Sequence, residues 1–238
     1  MNTTREILIV PDIHGRSFWE PALDYGGTIV FLGDYADPYP SEGTQEDAFR
    51  IMSRLVELKT RNPERITLLI GNHEFHYYDS RYRCGRFSQE MYERFHQLLT
   101  GEDTAGCFQM CRQIDRYLFI HAGITKYWYD RYSEMMESLG ATLEEQVNRL
   151  FQKAPYAFYE ASLHRGGIDD YGSPLWADVS EYGEEPEPFD GDIIQIIGHT
   201  QIREPDPVFI KNVRMLDNSQ LYLLKGDEIE KFSGSKMQ

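Results

Sequence analysis

The chain is short of cysteine, of basic residues relative to acidic ones, and of long apolar runs. Three cysteines (Cys84, Cys107 and Cys111) in 238 residues are too few, and odd in number, for a disulfide framework, so a reducing cytoplasm is the expected location. Cys107 and Cys111 stand four apart with no second Cys/His pair to complete a zinc site, and both are expected to be structural. Lys and Arg number 24 against 39 Asp and Glu, a net charge of −15. A surface that neutralised nucleic-acid phosphates would need a basic face, so no nucleic-acid partner is expected. No segment reaches the roughly 18 consecutive apolar residues of a membrane span. The apolar run after "MNTTRE" is too short for the core of a signal peptide, so no membrane partner is expected either. Internal repeats and long linkers are absent as well. Residues 1–238 are therefore expected to form one domain, long enough to bury a large core.

What is present is an alternation of apolar runs and amphipathic stretches. "EILIV", "TIVFLG", "ITLLIG", "RYLFIHAG", "DIIQIIGH", "VFIKNVRML" and "QLYLLKG" are dense in Ile, Val and Leu without alternation, the pattern of strands covered on both faces. Thr44 to Asp47 reads as a capping box ahead of Phe49, Met52, Leu55 and Val56 at helical spacing. A second box, Thr142 to Glu145, precedes Val147, Leu150 and Phe151, and a third apolar stripe joins Phe87, Met91, Phe95, Leu98 and Leu99. These stripes are expected to be core. The acidic, Pro-rich "SEYGEEPEPFDGD" from Ser180 to Asp192 reads as a surface loop. Strands alternating with helices, then mostly strands, predict an α/β fold with a central mixed sheet flanked by helices.

The chemistry-capable side chains fall where the strands stop. Asp12-Ile13-His14-Gly15, Gly33-Asp34-Tyr35-Ala36-Asp37, Gly71-Asn72-His73-Glu74, His121-Ala122-Gly123 and Gly198-His199-Thr200 each follow an apolar run. One such cluster is ordinarily a turn. Five of them on one sheet edge point instead to a binding site, because ligands of open α/β sheets collect beyond the carboxyl ends of strands. The set Asp12, His14, Asp34, Asn72, His121 and His199 offers nitrogen and oxygen donors without thiolate, which suits Mn, Fe, Zn or Mg. Six ligands fit two ions better than one, with Asp34 as the natural bridge.

The order of these clusters resembles the calcineurin-like metallophosphoesterases and, within them, the phosphoprotein phosphatase (serine/threonine phosphatase) branch. "SPLWAD" around Trp176 and "LDNSQ" at Leu216 resemble two further segments of that branch. The resemblance implies a four-layer α/β/β/α sandwich of mixed sheets flanked by helices. It also implies two divalent ions, manganese first, with Asp12, His14 and Asp34 on one and Asp34, Asn72, His121 and His199 on the other. A metal-bridging hydroxide would attack phosphorus in line, and His73 would protonate the leaving oxygen. Asp37 would orient His73 and raise its pKa.

Three arginines usual in that branch are missing. Pro38 and Ile70 stand at two of the places, and Ala177 to Gly198 contains no Lys or Arg. Candidates for the substrate grip are Arg16, the group Arg81, Arg83 and Arg86, and Arg165. The expected partner is a phosphorylated small molecule, nucleotide or phosphoprotein. A nucleotide or dinucleoside-polyphosphate hydrolase is the alternative activity. A catalytically silent binding module is disfavoured, since no metal ligand and no His73 is lost.

Overall fold

The computed structural model describes residues 6–184, 189 and 192–234. Two compact units make up the chain: residues 1–108 with 219–238, and residues 109–218, inserted between the two parts of the first.

In the first unit β1 (Glu6–Val10) and β2 (Thr28–Phe31) are followed by α1 (Gln45–Arg61), β3 (Ile66–Leu69), α2 (Asn72–Tyr78) and α3 (Tyr92–Thr100). The chain crosses β4 (Phe108–Gln109) into the second unit. There β5 (Cys111–Ile114), β6 (Tyr117–Ile120), α4 (Lys126–Glu137), α5 (Leu143–Lys153) and α6 (Val179–Glu184) precede β7 (Ile194–Ile197), β8 (Val208–Ile210) and β9 (Val213–Met215). β10 (Tyr222–Lys225) and β11 (Glu228–Lys231) complete the first unit. The sheets run β11-β10-β1-β2-β3-β4 and β5-β6-β7-β9-β8. Both are mixed. β1, β2 and β3 are parallel, as are β6, β7 and β9, while the outer hairpins are antiparallel. The two mixed sheets flanked by helices agree with the expected fold class. The five polar strand ends are divided between the sheets, three after β1, β2 and β3 and two after β6 and β7, rather than sharing one edge.

Local sequence accounts for the helices. Both capping boxes form: Thr44 with Asp47 opens α1 and Thr142 with Glu145 opens α5, satisfying N–H groups that the first turn leaves without partners. Ala48, Met52, Leu55 and Val56 of α1 are buried. They join Leu8, Trp19, Phe31, Tyr77 and Phe95 in the core of the first unit. In the second unit Trp128 is buried and donates Nε1–H to Ala157 O at 2.7 Å, so its polar handle is satisfied inside the core.

Three expectations are corrected. Phe87 precedes α3 rather than lying on it, and stacks on Tyr77 with ring centres 5.1 Å apart. "VFIKNVRML" is a hairpin, β8 and β9, turned at Lys211 with φ 49°. The stretch Ser180 to Asp192 begins in α6 instead of a loop, because its apparently surface residues are anchored inward. Glu181 accepts from Ser162 Oγ (2.6 Å), Gly172 N (2.7 Å) and Asp178 N (2.8 Å), and Tyr182 is buried. Residues 185–188, 190 and 191 of that stretch lie outside the described residues.

Candidate metal centre and acid pair

Beyond the carboxyl ends of β1, β2 and β3, three loops are locked together by their backbones. Ile13 and His14 donate N–H to Asp34 O at 3.0 and 2.7 Å, and His73 N–H donates to Asp34 Oδ1 at 3.0 Å. Glycine is required where β2 and β3 end. A Cβ on Gly33 (φ +104°) would lie 2.6 Å from Gly71 N, and one on Gly71 would lie 2.1 Å from Asp34 Oδ1. The Gly-Asp and Gly-Asn pairs thus reflect two loops in backbone contact.

Glu74, whose role the sequence left unassigned, ties these loops. Its carboxylate is fully buried and accepts four backbone N–H groups: Asp34 (2.7 Å), Tyr35 (2.8 Å), Ala36 (2.9 Å) and Gly71 (3.0 Å). Burial pushes its carboxyl up to about 7, with the four donors pulling the other way. His14 (φ 45°), Asp34 (φ 53°) and Asp37 (φ 54°) all have left-handed backbone. Non-glycine residues adopt that conformation at a cost, which this network of buried hydrogen bonds sustains.

The hydrogen bonds also assign the tautomers. Ala36 O can only accept, so the His14 nitrogen 2.9 Å from it, Nδ1, carries the proton. The bare Nε2 of His14 then lies 3.4 Å from Asp34 Oδ2. Burial, followed by the neighbouring His73, pushes the His14 pKa well below its ordinary value, against the pull of the Ala36 carbonyl. A neutral imidazole with an outward lone pair beside a buried carboxylate, its other nitrogen already held, is an arrangement that could hold a cation. Asp12 and Asn72 are buried at the same strand ends.

Asp37 holds the second histidine. Its Oδ2 accepts from His73 Nδ1 (2.8 Å) and lies 2.7 Å from His76 Nε2. Its Oδ1 accepts from Tyr77 OH (2.6 Å) and Gln45 Nε2 (2.9 Å). Burial pushes this carboxyl up, but the bonds to His73 and His76 outweigh it and hold Asp37 well below the usual carboxylate range. Asp37 does favour the charged form of His73, yet burial is the larger effect and leaves the His73 pKa lowered, not raised as expected. His76, Tyr77 and Gln45 were missed from sequence. The helical position of the first two, each four residues and so about one turn beyond Asn72 and His73 on α2, is the signal that could have found them.

In the second unit, β6 and β7 carry His121 and His199. His121 Nε2 and His199 Nδ1 lie 3.1 Å apart, and His199 has φ 61°. Gln195 on β7 braces the loop after His121, accepting from Ile124 N at 2.7 Å and donating to Ile124 O at 3.0 Å. Trp176 packs edge-on against the His199 ring at 5.8 Å. Two imidazole nitrogens converging this closely share either a proton or a cation.

The candidate arginines divide sharply. Arg16 donates to Asp12 O (2.7 Å), Ile13 O (3.0 Å) and Ser219 Oγ (2.8 Å), so its fork braces the β1 loop. Arg81 is paired with Asp79, and Arg83 is exposed and lies 4.6 Å over the Phe87 ring. Arg165, in the second unit, pairs with Asp178 at 2.8 Å and donates to Thr200. Arg86 alone of the five reaches the acid pair, with Nη2 3.1 Å from His73 Nε2.

The family model for calcineurin-like phosphoesterase matches residues 6–223. Among solved structures, the cold-active protein-tyrosine phosphatase of a psychrophilic Shewanella species aligns over 95% of this chain and 77% of its own, with TM-score 0.61 and 16% identity. A protein serine/threonine phosphatase from Saccharomyces cerevisiae, described as similar to human phosphatase PP5, aligns over 100% of this chain and 82% of its own, with TM-score 0.55 and 17% identity. These likenesses concern the fold. No curated protein sequence matches the chain significantly.

Proposed function

The chain belongs to the calcineurin-like phosphoesterase family and is a metal-dependent phosphoester hydrolase, and from that premise we propose that it is a dinuclear phosphatase using His73 as general acid. One ion would be held by Asp12, His14 and Asp34, and the other by Asp34, Asn72, His121 and His199, with manganese the first ion to supply. The donor chemistry fits: carboxylates, imidazoles and an amide without thiolate suit hard to borderline divalent cations. When bound, such a pair supplies Lewis acidity and a water acidic enough to act as nucleophile near neutral pH.

The observation that carries the reading is the pair of tautomers. Both His14 and His73 spend Nδ1 on fixed acceptors, Ala36 O and Asp37 Oδ2, so both present Nε2 outward. In His14 that nitrogen is a ligand. In His73 it is the site from which a proton passes to the leaving oxygen as the bond from that oxygen to phosphorus breaks and one to a water oxygen forms. Asp37 is immobilised by Tyr77 and Gln45, so the imidazole is aimed before substrate arrives. No described helix is long and apolar enough to cross a membrane, and the free Cys84, Cys107 and Cys111 favour a reducing, cytoplasmic setting.

Hydrolysis of a nucleotide or dinucleoside polyphosphate is the second reading. It is favoured by Pro38 and the buried Ile70 at places where the protein-phosphatase branch carries arginine. The test is release of p-nitrophenol from its phosphate ester by Mn(II)-loaded protein. A panel of phosphomonoester, phosphodiester, phosphopeptide and dinucleoside polyphosphate would follow. Loss of all turnover across that panel would sink the phosphatase reading. A preference for the polyphosphate would select the second.

A further inference from the structure

Arg86 is placed unlike any other arginine near the strand ends. Its guanidinium lies 3.9 Å from the ring centre of Tyr39, and its Nη2 faces His73 Nε2 at 3.1 Å. Among the described residues it makes no ion pair with a carboxylate, and its Nε is buried without a hydrogen-bond partner. Its backbone is left-handed, φ 67°. Its carbonyl accepts from Gln45 Nε2 at 3.1 Å, the same amide that donates to Asp37 Oδ1. The loop carrying Arg86 is therefore tied to the carboxylate that aims His73.

A half-buried guanidinium whose polar neighbour is an imidazole nitrogen rather than a carboxylate has given up water without gaining an anion, and such a charge is costly until an anion arrives. Five N–H donors in a planar fork match two oxygens of one phosphoryl group. Tyr39 follows Pro38, the residue standing where the family's phosphate-binding arginine is expected. The aromatic platform for Arg86 is thus built at the very place where that arginine is lost.

We infer that Arg86 is the phosphate-binding arginine of this protein and that it grips a phosphomonoester through two phosphoryl oxygens beside His73; the inference rests on the phosphohydrolase reading above. A monoester has three non-bridging oxygens, so the fork can take two and leave one for the cations. A diester has only two and would force fork and cations to compete. Binding also exchanges one hydrogen bond for another. Nη2 leaves His73 Nε2 for a phosphoryl oxygen, and Nε2, which as an acceptor from arginine carries no proton, becomes free to take one up from solvent and pass it to the leaving oxygen.

The test compares wild type, Arg86→Met (which keeps packing against Tyr39 without the charge), Arg86→Lys and Arg81→Ala. Each is full-length and Mn(II)-loaded. KM and kcat are read with p-nitrophenyl phosphate and with bis(p-nitrophenyl) phosphate, and inorganic phosphate is the binding probe, read as a thermal shift. A charge-assisted hydrogen bond is worth about 1.5–3 kcal/mol, so Arg86→Met is expected to raise the monoester KM and weaken phosphate at least about tenfold. Arg86→Lys should recover part of the loss, because it restores charge but not the fork. The diester KM should move less. Unchanged monoester KM and phosphate shift in Arg86→Met, or the loss appearing in Arg81→Ala instead, overturns the assignment. The phosphate shift needs no turnover. A wild type that binds phosphate through Arg86 yet hydrolyses nothing therefore refutes the activity while leaving the anion site standing.

Discussion

Replacing Glu74 by Gln separates the role of its charge from that of its volume. The carboxylate accepts four backbone N–H groups from two loops. A glutamine of nearly the same shape has one carbonyl oxygen, which can accept two of them, and an amide that donates and would confront the other two. Two hydrogen bonds to a charged acceptor are lost, each worth roughly 1.5–3 kcal/mol, so a loss of about 3 kcal/mol or more is expected. That is a large part of the roughly 5–15 kcal/mol by which domains of ordinary size are stable. With a urea slope of about 1–3 kcal/mol per molar, the unfolding midpoint of the metal-free protein should fall by at least about 1 M. The same change loosens the two segments that present Asp34 and His73, so Mn(II) content after equilibration against limiting metal should fall too. A midpoint and metal content both equal to wild type would falsify the claim that Glu74 holds these loops.

Three further expectations concern the site. His73→Asn should retain Mn(II) by elemental analysis while lowering kcat about a hundredfold or more, the scale of general acid catalysis; metal loss in this variant would contradict the role. Asp34→Asn should lose metal, since an amide replaces the carboxylate expected to bridge two cations, and normal metal content with normal turnover would remove Asp34 from the ligand set. His14 and His73 have pKa values below the ordinary histidine value in the folded chain, so the unfolded chain takes up protons first as pH falls below about 6.5. Stability of the metal-free protein should therefore be fully present above that pH and drop below it, by up to about 1.4 kcal/mol per pH unit for each histidine. Denaturant titrations across pH 5 to 8 should show a shallower fall for His14→Asn, and an unchanged slope would refute the assignment to His14.

Much of the site could be read before any fold was known, because its parts are local. An apolar strand that ends in Gly-Asp or Gly-Asn-His-Glu records in adjacent letters both the strand and what it delivers. The capping boxes at Thr44 and Thr142 are local in the same way, and both helices begin where those boxes place them. The turn at Lys211 was hidden because it contains no glycine to mark the positive φ. The helix at Val179–Glu184 was hidden because its acidic letters suggest solvent, whereas Glu181 is spent on buried donors.

What the sequence determined by itself is where the polar residues Asp12, His14, Asp34, Asp37, Asn72, His73, His121 and His199 fall: each follows a strand that its neighbours in the chain specify. Tertiary structure decided what the residues without a strand-end signature do. Glu74 became a four-way backbone acceptor, Gln45 and Tyr77 became supports of Asp37, and Arg86 rather than Arg16, Arg81 or Arg83 came to face His73. Apart from the bond between Glu74 and Gly71, those roles depend on partners 8 to 40 positions away along the chain. Burial and the direction of a hydrogen bond at that separation are set by packing, not by neighbouring letters.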